Sequence, residues 1–303
     1  MTTTITITQD DDGRRLDRTL RTAFKSVTLG EIMKAIRKGA VRINGTRVRD
    51  GGTHLSAGDE LAVPWVKGGK VIPKFTGWGK ISVIFRGDNV LILNKPAGIL
   101  VQPDEPGGDS VISRVWGVLG TRTPAAVHRL DRNTTGILAV ALHGDSLRAL
   151  EELFKTRRVS KIYLAAVTGR LPEEITVDAP LLKDSVNNMV KVSADGMRAV
   201  TRITCLDSDG EYSLARIELL TGRTHQARVH TAHIGHPIIG DRKYGSFSAN
   251  KLMKSVTRPL LHAYELAFPE NVGESLSEIA GKSFTADLPG DMKEFIGKRG
   301  LKL

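Results

Sequence analysis

The sequence predicts an α+β protein in two parts, a small basic unit followed by a large unit built on a mainly antiparallel mixed sheet with flanking helices. Three observations carry this. Apolar residues near the amino end recur at helical spacing and then give way to short alternating runs. A Gly-, Pro- and Lys-rich stretch follows. Beyond it, β-type runs come in groups with helices inserted irregularly, without the regular alternation of a parallel βαβ fold.

Residues 1–12, rich in Thr and Asp, read as a tail; they have neither a basic start nor an apolar stretch, so they are not a secretory signal. The small unit spans 13–66. Leu16, Leu20 and Phe24 mark one helix, and Ile32 and Ile36 a second. Val41-Arg42-Ile43 alternates and runs into Asn44-Gly45, the strongest short-range signal for a tight hairpin, and Leu61-Ala62-Val63-Pro64 closes the unit. Lys34, Arg37, Lys38 and Arg42, with Arg47 and Arg49, surround this helix and hairpin, where Glu31 and Asp50 are the nearest acids. A basic helix is usually a solvated face; concentration on so small a unit favours RNA binding. Two stretches, Gly13-Arg14-Arg15-Leu16-Asp17 and Lys38-Gly39-Ala40-Val41-Arg42-Ile43-Asn44-Gly45, resemble the αL motif of S-four-like domains.

Residues 67–80 read as a linker and 81–303 as the large unit. Val83-Ile84-Phe85, Val90-Leu91-Ile92-Leu93 and Leu164-Ala165-Ala166-Val167 read as strands. Ser146–Arg157 reads as a helix with Leu147, Leu150, Leu153 and Phe154 on one face.

Composition narrows the function. Lys and Arg total 44 against 33 acids, a formal charge of +11, which favours a polyanionic partner. Cys205 is the single cysteine, so neither an intrachain disulfide nor a multi-thiolate zinc site can form, and a reducing, cytoplasmic setting is expected. The most apolar run, Val90–Val101, is broken by Asn94, Lys95 and Pro96 and is too short to span a bilayer. Gly281-Lys282-Ser283 lacks the upstream glycine of a phosphate loop, because Leu276 stands there; Ser82 spoils a dinucleotide fingerprint begun by Gly77 and Gly79. There is no Gly-x-Ser-x-Gly and no His-Glu-x-x-His. His225, His230, His233 and His236 cluster in a basic segment without a carboxylate among them, so they read as hydrogen-bonding, RNA-facing groups and not as a metal site.

Two polar segments stand between apolar runs. In Val127-His128-Arg129-Leu130-Asp131-Arg132-Asn133-Thr134-Thr135-Gly136, the arginines beside Asp131 keep it ionised and available as a nucleophile. A structural salt bridge is the commoner use of such an Asp, and the residues alone leave both open. The second segment, Thr221–Asp241, follows a strand at Ser213–Leu220. There Thr221-Gly222 turns the chain, Thr224 can cap a helix, Gly235 and Pro237 end it, and Arg223 sits at the junction within reach of a carboxylate.

Both segments resemble the RluA-type pseudouridine synthases, closest to members that carry an amino-terminal S-four-like domain: His-Arg-Leu-Asp-x-x-Thr-Ser/Thr-Gly and Gly-Arg-Thr-His-Gln-x-Arg-x-His are the family's patterns. Lys161-Ile162-Tyr163-Leu164-Ala165-Ala166-Val167-Thr168-Gly169 is a third match. Asn133 stands where Asp is usual, Thr135 where Ser is common, and Ala227 where a bulkier aliphatic is common.

The resemblance implies isomerisation of selected uridines to pseudouridine without cofactor or metal. Asp131 would be the nucleophile, Tyr163 would stack on the target base and could move a proton, and Arg223 would pair with Asp131 and shape the pocket. Arg129 would enter the RNA to displace the target nucleotide. Arg122, Arg132, Lys155, Arg157, Arg158 and Lys161 are candidate phosphate ligands, with His225 and Arg228 also facing RNA. Large-subunit ribosomal RNA is the first-choice partner and transfer RNA the second, with the chain a monomer. A second reading, a non-catalytic RNA-binding or ribosome-assembly factor, needs only the basic surface; an intact Asp131, Tyr163 and Arg223 argue against it. A metal-dependent nuclease or deaminase would need an acid or thiolate cluster that the chain lacks.

Overall fold

The computed structural model describes residues 3–24, 27–64, 77–104, 108–184, 187–246, 250–251 and 255–303. The chain divides into two compact units, Met1–Ile72 and Pro73–Leu303. Most of the expected linker at 67–80 lies outside the described residues.

The first unit contains β1 (Thr3–Thr6), α1 (Leu16–Ala23), α2 (Leu29–Arg37), β2 (Val41–Ile43), β3 (Thr46–Val48) and β4 (Glu60–Val63), with sheet order β1-β4-β2-β3. Leu16, Leu20, Ile32 and Ile36 pack without solvent exposure against Val41, Leu61 and Val63. At the start of α2, Thr28 and Glu31 form a reciprocal capping box, satisfying two backbone N–H groups that the first turn leaves open. Asn44 and Gly45 have φ of 48° and 80°, the pair of positive values that a two-residue hairpin turn requires. The segment 1–12 is not a tail. Thr3–Thr6 is β-branched throughout and pairs antiparallel with β4, and Ile5 and Ile7, alternating with Thr4 and Thr6, join the core; composition alone hides this because Thr serves both loops and strands.

The second unit runs β5 (Ser82–Arg86), β6 (Val90–Lys95), α3 (Val111–Leu119), β7 (Ala125–Ala126), β8 (Thr135–Ala141), α4 (Gly144–Lys155), β9 (Ser160–Thr168), β10 (Glu174–Asp178), β11 (Leu181–Asp184), β12 (Met189–Val192), β13 (Val200–Ser208), β14 (Tyr212–Leu219), α5 (Gln226–His233), β15 (Leu261–Ala267), β16 (Ser283–Thr285) and α6 (Gly290–Arg299). Among the described residues, a ten-stranded sheet follows the path β10-β13-β14-β9-β15-β8-β6-β5, with β7 beside β8 and β16 beside β15. Its pairs are antiparallel except β15 with β8, where His262 faces Thr135 and Ala263 faces Gly136. β11 and β12 form a separate hairpin.

Alternation along β9 sorts the layers. Ala165 and Val167 pack with Ala227 of α5, while Leu164 and Ala166 pack with Met292 and Phe295 of α6. Tyr163 shares the odd-numbered face and so points to the α5 side. Every residue of β8 is buried, as expected of a strand covered on both faces, and α3 and α4 close over it through Val111, Val115, Leu150 and Leu153. The β5–β6 turn is held by Glu278, whose carboxylate accepts the N–H groups of Asp88, Asn89 and Val90 at 2.8, 2.9 and 2.7 Å.

Candidate active site

A cavity of about 1210 Å³ opens in the second unit where the loop before β8, the start of β9 and the start of α5 converge. Asp131, Tyr163, Arg223, His225 and Arg228 all line it, so two distant motifs and a residue of β9 meet in one place.

The loop bearing Asp131 is fixed from beneath by buried polar side chains. His128 Nε2 accepts the Ala139 N–H at 3.0 Å, and its ring stacks on Phe154 at 4.8 Å. Burial drives this imidazole down to about 3, with Lys161 adding to the effect, so it is a neutral strut. Lys95 has no solvent exposure, and its Nζ donates to the carbonyls of Arg132 and Pro96, each at 3.0 Å. Burial lowers its ammonium to about 7 against the opposing pull of Asp131. Arg258 reaches the Asn133 carbonyl at 3.3 Å while pairing with Asp291 of α6 at 2.6 and 2.7 Å. Just past the loop, Gly136 has φ of 111°, and a Cβ there would lie 2.1 Å from the Ala263 carbonyl oxygen, so the parallel β8–β15 contact requires glycine.

The expected pairing of Asp131 with Arg223 is corrected by the geometry. Arg228 Nη1 donates to Asp131 Oδ2 at 3.0 Å, whereas Arg223 Nε donates to the Arg198 carbonyl at 3.1 Å. Arg223 sits ahead of the helix in the turn, while Arg228 lies in the first turn of α5 on the face toward the loop. Arg228 is itself held by Asp241, which accepts from Nε at 2.7 Å and from Nη2 at 2.9 Å. Burial alone would raise the Asp241 carboxyl; Arg228 and the N–H groups of Lys243 and Tyr244 overcome it and bring the carboxyl below its ordinary value.

Thr224 does not cap α5. His225 is the N-cap, with φ of 55°, and the Gln226 side chain accepts the Arg223 N–H at 2.9 Å in place of a Thr cap. A left-handed conformation in a non-glycine residue costs about 1–3 kcal/mol and persists where surrounding contacts over-determine it. The four histidines also separate. His230 is buried and bonded to Thr201 and the Ala179 carbonyl, so it does not face RNA. His236 donates to the Thr168 carbonyl, His233 is exposed, and His225 stands in the cavity wall.

Tyr163 lies in the same cavity, and burial together with the Asp131 charge pushes its phenol far above the ordinary value, keeping it protonated. Lys161 lines the wall with its ammonium lowered by burial and then by Arg157. Arg129, Arg132, Lys155 and Arg157 are exposed around the opening, with Arg132 3.4 Å from Asp104. Arg158 is turned elsewhere, donating to the Asn271 carbonyl, and Arg122 lies over the Trp116 ring beside a smaller cavity. In the first unit Lys34, Arg37, Lys38 and Arg42 are all exposed. No group of three or more metal-ligating side chains occurs among the described residues. Nor, among them, is any helix long and apolar enough to cross a membrane.

Sequence reasoning missed Lys95, Arg258, Asp241 and Tyr244 as members of this site. Lys95 carried one visible signal, a charge inside an otherwise apolar run; the others lie far along the chain from Asp131.

A carboxylate held beside a guanidinium shares this cavity with a protonated tyrosine, so an acidic group and an aromatic surface line one opening. Residues 89–233 match the RNA pseudouridylate synthase family and residues 14–61 the S4 domain. The chain belongs to the RNA pseudouridylate synthases, isomerases that convert uridine in RNA to pseudouridine. Among its relatives, ribosomal large subunit pseudouridine synthase C of Vibrio cholerae serotype O1 is 37% identical over 91% of this chain and 91% of the relative. Its counterpart in Escherichia coli K12 is 36% identical over 87% of this chain and 88% of the relative. The solved structure of human RNA pseudouridylate synthase domain containing 4 aligns with a TM-score of 0.60 and 26% identity, covering 73% of this chain and 94% of that one.

Proposed function

We propose that this chain isomerises selected uridines of large-subunit ribosomal RNA, with Asp131 as the nucleophile. The observation that carries the assignment is the Asp131 carboxylate inside the cavity, bonded to Arg228 and sharing that cavity with Tyr163. In the overall change the bond from C1′ to N1 breaks, a bond from C1′ to C5 forms, and a proton leaves C5 while N1 gains one. Atoms balance without any redox or nucleotide co-reactant. Asp131 can attack C1′, add to C6 or remove a ribose proton; each route uses the carboxylate to which Arg228 donates at 3.0 Å.

Tyr163 supplies the aromatic surface for the detached uracil, and Arg223 borders the pocket without touching Asp131. The target base must leave its stack, at a cost of a few kcal/mol. Arg129 fills the space it vacates, while Arg132, Lys155, Arg157 and Lys161 grip neighbouring phosphates. The exposed Lys34, Arg37, Lys38 and Arg42 of the S4 unit add sequence-independent affinity, and the protein works as a cytoplasmic monomer.

The test is a single-nucleotide map of pseudouridine in total RNA from cells with and without the gene. Discrete large-subunit sites should vanish and return with the wild type but not with Asp131→Asn. Losses confined to transfer RNA would move the substrate there. Restoration by Asp131→Asn would refute the nucleophile and favour a binding factor.

A further inference from the structure

The motif that contributes Arg228 also contributes His225, and the reaction as written gives that imidazole no task. Its surroundings are specific. The side chain is only 9% exposed and lines the cavity, with Nε2 3.7 Å from Asp131 Oδ2, too far for the carboxylate to use its hydrogen. On the other side, Nδ1 lies 2.7 Å from the Tyr244 oxygen, and that oxygen accepts the Val190 N–H at 3.0 Å. The phenolic oxygen can accept from Val190 and still donate its O–H to Nδ1, and the Asp131 carboxylate on the Nε2 side favours this over the reverse arrangement, in which the Nε2 lone pair would face a carboxylate. The imidazole proton is then placed on Nε2, directed into the cavity.

The ring is held in this state. Burial lowers its pKa, and Arg228 and Lys243 act in the same direction against Asp131 and Asp241, so it is neutral near pH 7. Its backbone is locked in the left-handed region at the N-cap of α5, and the Tyr244 ring packs edge-on at 5.5 Å. Arg228, the nearest cation, has Nε and Nη2 on Asp241 and Nη1 on Asp131. Beside the nucleophile, His225 is therefore the neutral group with an uncommitted N–H.

We propose that His225, its tautomer set by Tyr244, donates its Nε2–H to a carbonyl oxygen of the target uracil. This rests on the reading of the cavity as the reaction site. When C1′–N1 breaks, the electron pair leaves with the uracil, and negative charge spreads onto its two carbonyl oxygens. A donor fixed in advance at that position binds the leaving base more tightly than the neutral one. No atom is transferred at His225. Tyr244 does not line the cavity and acts through His225 as a positioning residue.

The test uses full-length His225→Ala, Tyr244→Phe and the double variant, with large-subunit ribosomal RNA from cells lacking the gene as substrate. His225→Ala should lower kcat about a hundredfold with little change in KM. Tyr244→Phe should cost about tenfold, and only where His225 is present, so that the double variant matches His225→Ala. In parallel, ¹⁵N spectra of histidine-labelled protein should show His225 as the Nε2–H tautomer, with Tyr244→Phe erasing that preference. A kcat for His225→Ala within about twofold of wild type, independent effects of the two substitutions, or an Nδ1–H tautomer would each overturn the proposal. Should His225→Ala fail to fold, the rate and spectrum of Tyr244→Phe decide. The tautomer measurement needs no turnover, so it stays informative if Asp131→Asn proves active and the reading of the cavity fails.

Discussion

Replacing Asp241 by Asn tests whether Arg228 owes its place to Asp241 more than to Asp131. Asp241 is 1% exposed as a side chain; it accepts two bonds from Arg228 and two from the N–H groups of Lys243 and Tyr244, at 2.9 and 3.1 Å. An Asn keeps one acceptor oxygen but turns an NH₂ toward groups that are themselves donors, leaving a largely buried guanidinium with Asp131 alone. Breaking a buried pair by removing one partner costs about 3–5 kcal/mol, and the retained oxygen puts this case near about 3. For a domain of this size that lowers Tm by roughly 6–12 °C. Asp131→Asn is the internal control: that side chain is 30% exposed and accepts one bond from Arg228, which keeps Asp241, so the loss should stay near about 1 kcal/mol. Thermal denaturation and single-turnover assays of both variants should therefore rank in opposite orders, Asp241→Asn worse in stability and Asp131→Asn worse in activity. Equal melting temperatures for the two would refute the assignment of Arg228 to Asp241.

Other consequences are as direct. Gly136→Ala, which forces a Cβ to 2.1 Å from the Ala263 oxygen at φ 111°, should cost about 4 kcal/mol or more, whereas Gly210→Ala at φ 90° with open space around it should cost about 1–2; solubility and urea midpoints distinguish them. His128 and His262 are neutral in the fold, lowered by burial to about 3 and about 4. Their contribution is thus complete above the unfolded value near ~6.5 and is lost as pH falls toward the folded values; by pH 5 each should have removed about 2 kcal/mol, readable as denaturant midpoints at pH 8 and 5, and unchanged midpoints would contradict it. Arg37→Ala and Lys38→Ala should each reduce the salt slope of RNA binding by about 1 without changing kcat at saturating RNA.

The two-unit α+β plan was legible because its signals are local: helical spacing at Leu16, Leu20 and Phe24, the Asn44-Gly45 turn, the apolar run into β8. That Asp131 and Tyr163 belong to one place was legible through the motifs that resemble the family, and both line the same cavity. The arginine was misassigned because Arg223 and Arg228 lie in one motif, and a left-handed turn at His225, invisible in the sequence, decides which of them faces the loop. Lys95 and Arg258 escaped notice because their work is done through carbonyls of other segments, and only the pairing of His262 with Thr135 brings Arg258 beside the loop. Position 1–12 failed for the opposite reason, since a compositional label overrode a short alternating pattern.

Arg258 ties the Asn133 carbonyl to Asp291 in α6. Translation proceeds from the amino end, so a nascent chain carries its HRLD segment through much of its synthesis before the residue that anchors it has left the exit tunnel. Lys95 and His128 are made before or with the loop, so the Arg258 contact is the last of these three supports to form. A chain stopped short of Arg258 would hold the HRLD loop by Lys95 and His128 alone, without the tie through Arg258 to Asp291.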